Sequence, residues 1–253
     1  MKHGDFTALA RYYKYRTGYS DRVLRALVGV TGGLREGFRV ADVGAGTGKL
    51  TEHLSKLGLQ GYAVEPNGAM RKEGERAWRG GAGVQWINGS AEHTGLPRHS
   101  VDWVLMGSSF HWTNAPRSLR EFHRILKPAG FFTAIWNPRD LPHSPVDQRI
   151  ERLIRERVPE LKRMSSGSNQ SGLEEKLLST GRFHRLLFVE APHVEIMTPA
   201  RYLGIWQSVN DVRVQAGSRR FAEILNAIKK ETAGLSSIRV AYLTRAWTVQ
   251  AVD

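Results

Sequence analysis

The chain has 253 residues, 41% of them hydrophobic and 24% charged, which is typical of a folded protein with one main domain. It contains no cysteine, which excludes disulfides, thiolate zinc sites, cysteine nucleophiles and cysteine-ligated iron–sulfur clusters. Lysine and arginine outnumber the acids by 13, but they are spread along the chain, which favours a basic surface over an arm that binds nucleic acid.

The sequence gives no sign of a membrane protein. No apolar run approaches the roughly 18 residues that would cross a bilayer, and the first five residues lack the apolar core of a signal peptide. We therefore expect a cytoplasmic protein without a membrane partner. The sequence indicates no particular oligomeric state.

The N-terminal part predicts two helices. Residues 6–19 place apolar, aromatic and basic side chains at helical spacing. Asp21 is the expected N-cap of the second helix, which would cover residues 22–30 and end at Gly32.

From residue 38 onward, strand and helix patterns alternate. Strands are predicted over residues 38–44, 60–66, 84–92, 101–110 and 130–137, and helices over residues 47–58, 67–80 and 115–126. This alternation predicts βαβ units around a parallel sheet with helices on both faces.

After residue 137 the pattern changes. A helix is predicted over residues 144–163, a polar loop over 164–172, a strand over 183–198 that bends at Pro192, helices over 199–213 and 218–232, and a closing strand over 238–252. Trp206 and Asn210 are four residues apart, so they would share one face of the helix over 199–213.

The segment VADVGAGTGKL, residues 40–50, places three glycines between a predicted strand and a predicted helix. Glycine lets a ligand lie against the backbone, so Gly44, Ala45 and Gly46 predict a ligand site in this glycine turn, residues 44–48. Leu50 excludes a phosphate-binding P-loop, which requires serine or threonine there. Lys49 occupies the place of the third glycine of a dinucleotide fingerprint, so a nicotinamide-dependent oxidoreductase stays a weaker alternative.

Further candidate residues follow the next strand, at the sheet edge where α/β proteins bind ligands. Glu65 comes 21 residues after Gly44, a position from which an acid can accept hydrogen bonds from both hydroxyls of a ribose. Pro66 then stops the strand. Asp42, just before the glycine turn, either organises the loop or contacts the ligand.

The third and fourth strands are also followed by polar residues. Ser90, Ala91 and Glu92 would suit an adenine ring and its amino group. Ser108 and His111 would face the position where the reactive end of a ligand projects. His111 is the candidate catalytic residue, either as a base or by polarising a bound group, and packing beside a tryptophan is the alternative.

Four segments carry a resemblance to a known family: VADVGAGTGKLTEHL, GYAVEPNGAM, INGSAEHTGLPRHSVDWVLMGSSFHWTN and EFHRILKPAGFFTAIWN. Together, across residues 8–138, they resemble the class I S-adenosylmethionine-dependent methyltransferases, in particular the small-molecule branch with the methyltransferase type 11 and trans-aconitate types. The resemblance implies an α/β fold with a Rossmann-like, seven-stranded, mostly parallel sheet, helices on both faces and helical lid elements. The last strand would be antiparallel.

The resemblance also implies roles around S-adenosyl-L-methionine as cofactor. Gly44 and Gly46 would lie under its methionine part, Glu65 would hold the ribose, and Met70 would help to surround the adenine. The complete expected set of cofactor-binding residues is Tyr12, Arg16, Gly44, Ala45, Gly46, Glu65, Pro66, Met70, Ser90, Ala91, Glu92 and Ser108.

Within that set, Tyr12 and Arg16 match a tyrosine and an arginine of the family that often meet the cofactor carboxylate. Thr17 is a departure, because many members have proline after that arginine.

We expect a single methyltransferase domain over residues 1–253. It would comprise an N-terminal helical lid (1–33), a cofactor-binding core (34–138), a variable acceptor-side cap (139–215) and a C-terminal helix and strand (216–253). The expected reaction is methyl transfer to nitrogen or oxygen of a small molecule, by in-line displacement without a metal, in secondary metabolism. An RNA-associated methyltransferase that uses the basic surface is the alternative.

Overall fold

The computed structural model describes residues 6–78, 83–163 and 170–253. The strands of this part of the chain form one sheet. They are β1 (Arg39–Val43), β2 (Gln60–Val64), β3 (Val84–Ile87), β4 (Val101–Gly107), β5 (Leu126–Trp136), β6 (Phe183–Met197) and β7 (Ile238–Ala251).

The strands lie in the order β3-β2-β1-β4-β5-β7-β6, and every neighbouring pair is parallel except the pairs that include β7. Strand order reverses between β1 and β4, so the carboxyl ends of these two strands form the edge at which α/β proteins bind ligands. The expected Rossmann-like α/β fold with an antiparallel seventh strand is confirmed.

Helices connect the strands, and short 3-10 turns occur at Thr7–Leu9, Phe110–Trp112 and Leu141–His143. Within the described ranges, no helix combines the length and apolar character needed to cross a membrane. The helices are α1 (Ala10–Tyr13), α2 (Asp21–Thr31), α3 (Lys49–Lys56), α4 (Gly68–Ala77), α5 (Ala115–Ile125), α6 (Pro145–Arg157), α7 (Leu173–Leu178), α8 (Pro199–Gln207) and α9 (Asn210–Glu231).

Apolar side chains cover both faces of the sheet. Along β4, Val104 and Met106 belong to one buried cluster, which includes residues of α5 and α7. Trp103 and Leu105 belong to a second cluster, which includes residues of α2 and α3. Because side chains alternate along a strand, a strand buried on both faces is apolar at nearly every position.

A third buried cluster, which includes Trp206 and Val240, joins α6, α8 and α9 to β6 and β7. The last residue of β5, Trp136, pairs with Arg245, so residues 238–244 of β7 extend beyond the carboxyl end of β5. The third cluster therefore gives the region beyond this sheet edge an apolar core of its own. The boundaries of lid, core and cap stay a prediction.

Two predicted helix features are wrong. α2 begins at Asp21 itself, and Asp21 pairs with Arg25 at 2.9 Å instead of capping the helix. The single helix expected over residues 199–213 is two helices, because α8 ends at Gln207 and α9 begins at Asn210. Trp206 and Asn210 therefore do not share one helical face.

The strand β6 continues through Pro192, where a bend was predicted. Pro192 pairs with Leu243, and an edge strand tolerates proline because its outer N–H groups need no partner in the sheet. The irregularity lies between His184 and Leu187, where Arg185 has a φ of 51°. Most of the predicted polar loop, residues 164–169, lies outside the described residues.

Candidate active site

The glycine turn joins β1 to α3 and has the backbone of a ligand cradle. Gly44 and Gly46 have φ values of 70° and 60°, in the left-handed region that favours glycine. A Cβ on Gly44 would come within 2.8 Å of Ser109 Oγ, and one on Gly46 would lie 3.3 Å from Met70 Cε. Side chains at these two positions would therefore fill the space beside the turn.

Backbone hydrogen bonds tie this turn to the end of β2. The N–H groups of Gly44 and Ala45 donate to the carbonyl oxygen of Val64, at 2.8 and 3.1 Å. Ala45 is buried, whereas Pro66, two residues beyond the end of β2, is exposed. The ends of β1 and β2 thus form one edge.

Glu65 follows β2 directly and holds the turn from the other side. Its Oε2 accepts the N–H of Gly46 and its Oε1 accepts the N–H of Asn67, both at 2.8 Å. Burial raises the pKa of Glu65, and these two N–H groups act against that rise. Each carboxylate oxygen has a second lone pair, so Glu65 can also accept hydrogen bonds from the two hydroxyls of a ribose.

The start of α4 places Met70 beside the turn. The side-chain oxygen of Asn67 accepts the N–H groups of Ala69 and Met70, at 3.0 and 3.1 Å, and so caps the helix. Met70 is buried with its Cε near Gly46. Met70 can therefore form an apolar wall beside the turn.

The segment after β3 is closely tied to α5. Ala91 is buried, and half-buried Ser90 accepts the N–H of His93 at 3.2 Å through its Oγ. Glu92 Oε1 accepts the N–H of Asn114, at 2.8 Å, just before α5. The Ser118 hydroxyl also donates to Oε1, at 3.5 Å, so a contact between Glu92 and an adenine amino group would use Oε2.

Two buried polar atoms beside the turn give a test of whether it suits a ligand. Asp42 Oδ2 accepts the hydroxyl of Thr51 at 2.6 Å, and burial raises the pKa of Asp42 to about 7. Asp42 Oδ1 and Thr47 Oγ1 have no hydrogen-bond partner among the described residues. Buried polar atoms normally have partners, and a polar amino-acid tail on the turn would supply them. These residues and Glu65 fit a nucleoside that carries such a tail.

The residues that follow β4 pack against the glycine turn. Ser109 Oγ donates to the carbonyl oxygen of Val43 at 3.3 Å. Ser108 is exposed, has a φ of 54°, and its Oγ lies 3.4 Å from the hydroxyl of Tyr19. Burial raises the pKa of Tyr19, so its hydroxyl keeps its proton at neutral pH.

His111 lies in the 3-10 turn that follows β4 and is half-buried. Trp136, at the end of β5, donates its indole N–H to His111 Nδ1 at 3.3 Å. The rings of His111 and Trp112 have centroids 4.8 Å apart. Burial lowers the pKa of His111 to about 4, so this imidazole holds a proton weakly near neutral pH.

The N-terminal segment brings Tyr13 close to the site. Burial raises the pKa of Tyr13; the charge of Arg16 acts against this rise, and the charges of Glu65 and Asp211 add to it. Tyr13 therefore lies among charged groups of the turn and of the α8–α9 junction. Tyr12, the residue expected to meet a carboxylate, is half-buried with the Arg11 guanidinium 4.7 Å from its ring centroid.

Arg16 is bound to the junction between α8 and α9. Its Nε donates to Ser208 Oγ at 2.7 Å, and its Nη2 donates to the Ser208 carbonyl oxygen at 2.9 Å. Nε is thus engaged, and a carboxylate would meet Nη1 or the second N–H of Nη2. The contacts of Tyr12 and Arg16 with a cofactor stay predictions.

The region beyond β5 contains a buried ionic cluster. Asp147 accepts the Tyr202 hydroxyl at 2.7 Å and lies 3.3 Å from Arg139 Nε. The Arg139 guanidinium lies 4.0 Å from the ring centroid of Trp206, which is fully buried. Asn210 is buried, and its Oδ1 has no hydrogen-bond partner among the described residues. Trp206 therefore packs inside the third buried cluster.

Sequence reasoning did not identify Tyr13, Tyr19, Trp136 or Arg139 as site residues. Each is placed by contacts with residues far away in the chain, such as the contact between Trp136 and His111, which are 25 positions apart. Spacing patterns detect only neighbours along one helix or strand. The one local signal was that Tyr12 and Tyr13 are adjacent. Neighbouring helical residues face different directions, so either tyrosine could have been the one that faces the site.

A family model described as a methyltransferase domain matches residues 41–134. An uncharacterized methyltransferase of Mycobacterium tuberculosis is 39% identical over 102 residues, which are 40% of this chain and 41% of that protein. A ubiquinone/menaquinone biosynthesis C-methyltransferase of Rubrivivax gelatinosus is 36% identical over 39% of each chain. The chain thus spans about two fifths of the length of these curated relatives.

A longer match has lower identity. An uncharacterized methyltransferase of Schizosaccharomyces pombe is 27% identical over 205 residues, which are 78% of this chain and 76% of that protein. Among solved structures, a protein assigned as a type II methyltransferase from Anaeromyxobacter dehalogenans has a TM-score of 0.64 and 21% identity, over 94% of this chain and 98% of its own. This structural likeness shows the fold.

Proposed function

We propose that this chain transfers a methyl group from S-adenosylmethionine to a small molecule. The premise is that the chain belongs to the class I S-adenosylmethionine-dependent methyltransferase family. The observation that carries the proposal is the hydrogen bond between Gly46 N–H and Glu65 Oε2. It holds a bare backbone turn beside the acid to which we assign the ribose, at one sheet edge.

When bound, S-adenosylmethionine supplies a methyl group that the adjacent sulfonium makes electrophilic. The glycine turn would hold its amino-acid tail against the backbone, and Glu65 would accept its ribose hydroxyls. Met70 and Ala91 would pack against the adenine, and Glu92 Oε2 would accept its amino group. These roles require only binding and orientation, without a covalent intermediate on the protein.

The acceptor would bind beyond the carboxyl ends of β4 and β5, between the 3-10 turn with His111 and the acceptor-side cap (139–215). The protein would hold the two reactants aligned and exclude water between them. Correct positioning can lower a barrier by about 7 to 11 kcal/mol, so it can supply much of the rate enhancement. The third buried cluster gives this region an apolar core on which the cap can pack.

We place the acceptor among small metabolites that are methylated on nitrogen or oxygen, and the reaction in biosynthesis within the cytoplasm. The biosynthetic name of the Rubrivivax relative supports the general role. The acceptor itself is identified by incubating the protein with S-adenosylmethionine and candidate metabolites and searching by mass spectrometry for products one CH2 group heavier.

Isothermal titration calorimetry with S-adenosylhomocysteine tests the proposal. We expect one binding site per chain, together with a rise in melting temperature. A rise caused by reduced nicotinamide dinucleotide, and none caused by S-adenosylhomocysteine, would reject the proposal in favour of an oxidoreductase.

The net charge of +13 motivates the alternative of an RNA-associated methyltransferase. Arg117 and Arg120 on α5 are exposed and could contact a phosphate backbone. RNA binding of that kind weakens steeply with salt, because each neutralised phosphate releases a counterion. Turnover of a small acceptor that does not depend on salt would reject this alternative.

A further inference from the structure

The hydrogen bond between Trp136 and His111 fixes which imidazole nitrogen carries the proton. An indole N–H can only donate, so the nitrogen that it reaches, His111 Nδ1, must offer its lone pair. A neutral imidazole has one N–H, which must then be on Nε2. His111 therefore presents a hydrogen-bond donor, and not a lone pair, through its second nitrogen.

Ring contacts hold the imidazole in this orientation. Its centroid lies 4.8 Å from that of Trp112 and 6.3 Å from that of Trp136. Trp112 in turn contacts Phe6 edge to face, with centroids 5.7 Å apart. The neutral state follows from burial, which lowers the pKa of His111 to about 4.

His111 also lies where an acceptor would react. It is two residues after Ser109, which packs against Gly44 of the glycine turn, and its partner Trp136 ends β5. Because Trp136 engages Nδ1, Nε2 is the nitrogen of His111 left to meet a ligand at the carboxyl ends of β4 and β5.

We propose that His111 is not a base but donates its Nε2–H to an oxygen of the acceptor, and that the acceptor is a phenol or enol that binds as its oxyanion. This inference rests on the proposed methyltransferase function and selects the polarising role of His111 over the base role, both of which the sequence left open. It also selects oxygen over nitrogen as the atom beside His111.

The chemistry of the surroundings supports an oxyanion. The single lone pair of a neutral amine must attack the methyl group and cannot also accept the N–H of His111, whereas an oxyanion has lone pairs for both. An excess of 13 basic residues draws anions toward the protein, and Trp112 is 40% exposed beside His111, which offers a flat face to an aromatic acceptor. The acceptor would release its O–H proton to water, and the electron pair that stays on oxygen would accept the Nε2–H bond.

Nitrogen-15 NMR of the full chain with S-adenosylhomocysteine present tests the tautomer without any acceptor. The His111 signals are assigned by their loss in His111→Asn. We expect a neutral ring protonated on Nε2 at about pH 7. A ring protonated on Nδ1, or an imidazolium, would overturn the proposal. In Trp136→Phe, which keeps a ring but removes the N–H, we expect a mixture of tautomers, and an unchanged spectrum would overturn the role of Trp136.

Turnover of the acceptor found by mass spectrometry separates a donor from a base. His111→Gln keeps an N–H donor near the position of Nε2, whereas His111→Glu offers a base and no donor. We expect kcat/KM of His111→Glu to fall about 100-fold or more below that of His111→Gln, because a carboxylate in place of the N–H donor repels the oxyanion that must bind. Higher activity in His111→Glu, or a product methylated on an amine, would overturn the proposal. Failure of the methyltransferase function would appear separately, as absent binding of S-adenosylhomocysteine in calorimetry.

Discussion

The Glu65 carboxylate accepts the backbone N–H of Gly46 at 2.8 Å, and so the end of β2 and the glycine turn after β1 are held as one unit. The same carboxylate accepts the N–H of Asn67, which begins the cap of α4. One side chain therefore fixes two of the backbone segments that would surround a bound nucleoside.

Replacing Glu65 by alanine should weaken binding of S-adenosylhomocysteine strongly. Each lost hydrogen bond to a charged group is worth about 1.5 to 3 kcal/mol, so loss of both ribose bonds predicts a fall in affinity of more than about 100-fold. Isothermal titration calorimetry measures this fall in affinity. Glu65→Gln, which keeps the size and one acceptor oxygen, should lose less, and equal affinity in wild type and Glu65→Ala would refute the ribose assignment.

Gly44→Ala should damage both the turn and cofactor binding. Gly44 has a φ of 70°, and a Cβ there would come within 2.8 Å of Ser109 Oγ. We expect a loss of stability of about 1 kcal/mol or more and no measurable binding of S-adenosylhomocysteine. The matched control is Gly29→Ala, on the exposed side of α2 with open space around it, which should stabilise by about 0.5 to 1 kcal/mol. Similar binding by wild type and Gly44→Ala would contradict the cradle.

Because Asp42 is buried, we expect the free energy of unfolding to fall as pH rises. Its pKa is raised to about 7 in the folded chain by burial, against about 3.9 in an unfolded chain. Between these values only the folded protein holds the proton, so the stabilisation is complete below about pH 4 and is lost by about pH 7, on the order of 4 kcal/mol.

Urea unfolding of wild type and Asp42→Asn across this pH range measures the effect. The fall of the unfolding free energy with rising pH should be smaller in Asp42→Asn than in wild type. It should be retained in Asp21→Asn, which alters an exposed carboxylate of α2. Parallel slopes for wild type and Asp42→Asn would show that the folded Asp42 is already ionised at low pH.

The ionic cluster beyond β5 should be important for stability. Asp147 is fully buried, accepts hydroxyls of Ser144 and Tyr202, and pairs with Arg139. Asp147→Asn leaves the Arg139 guanidinium buried without its counter-charge, so we expect a loss of about 3 to 5 kcal/mol. Denaturant unfolding tests this, and a change below about 1 kcal/mol, as in a surface pair, would mean that the cap tolerates the charge.

The sequence predicted the core of the fold well because local patterns determine it. The alternation of apolar strands and amphipathic helices from residue 38 to 137 corresponds to β1 through β5 and their helices, although β3 ends at Ile87, five residues before its predicted end, and β5 begins four residues before its predicted start. The glycine turn and Glu65 also lie together at the expected edge, since each follows a buried strand of a parallel sheet.

The prediction failed where tertiary contacts override local patterns. Residues 199–213 have a helical pattern, yet the helix ends at Gln207, and Arg16 binds the Ser208 carbonyl oxygen at the break. Arg16 lies 192 residues away in the chain, so no spacing rule could indicate it. For the same reason the sequence identified His111 but not the Trp136 N–H that decides its tautomer.

A crystal structure of the protein with S-adenosylhomocysteine tests the central claim most directly. We predict that the amino-acid tail lies on the backbone of Gly44 to Gly46 and that both ribose hydroxyls donate to Glu65. A nucleoside bound away from this edge, or crystals that show none at saturating concentration, would contradict the account.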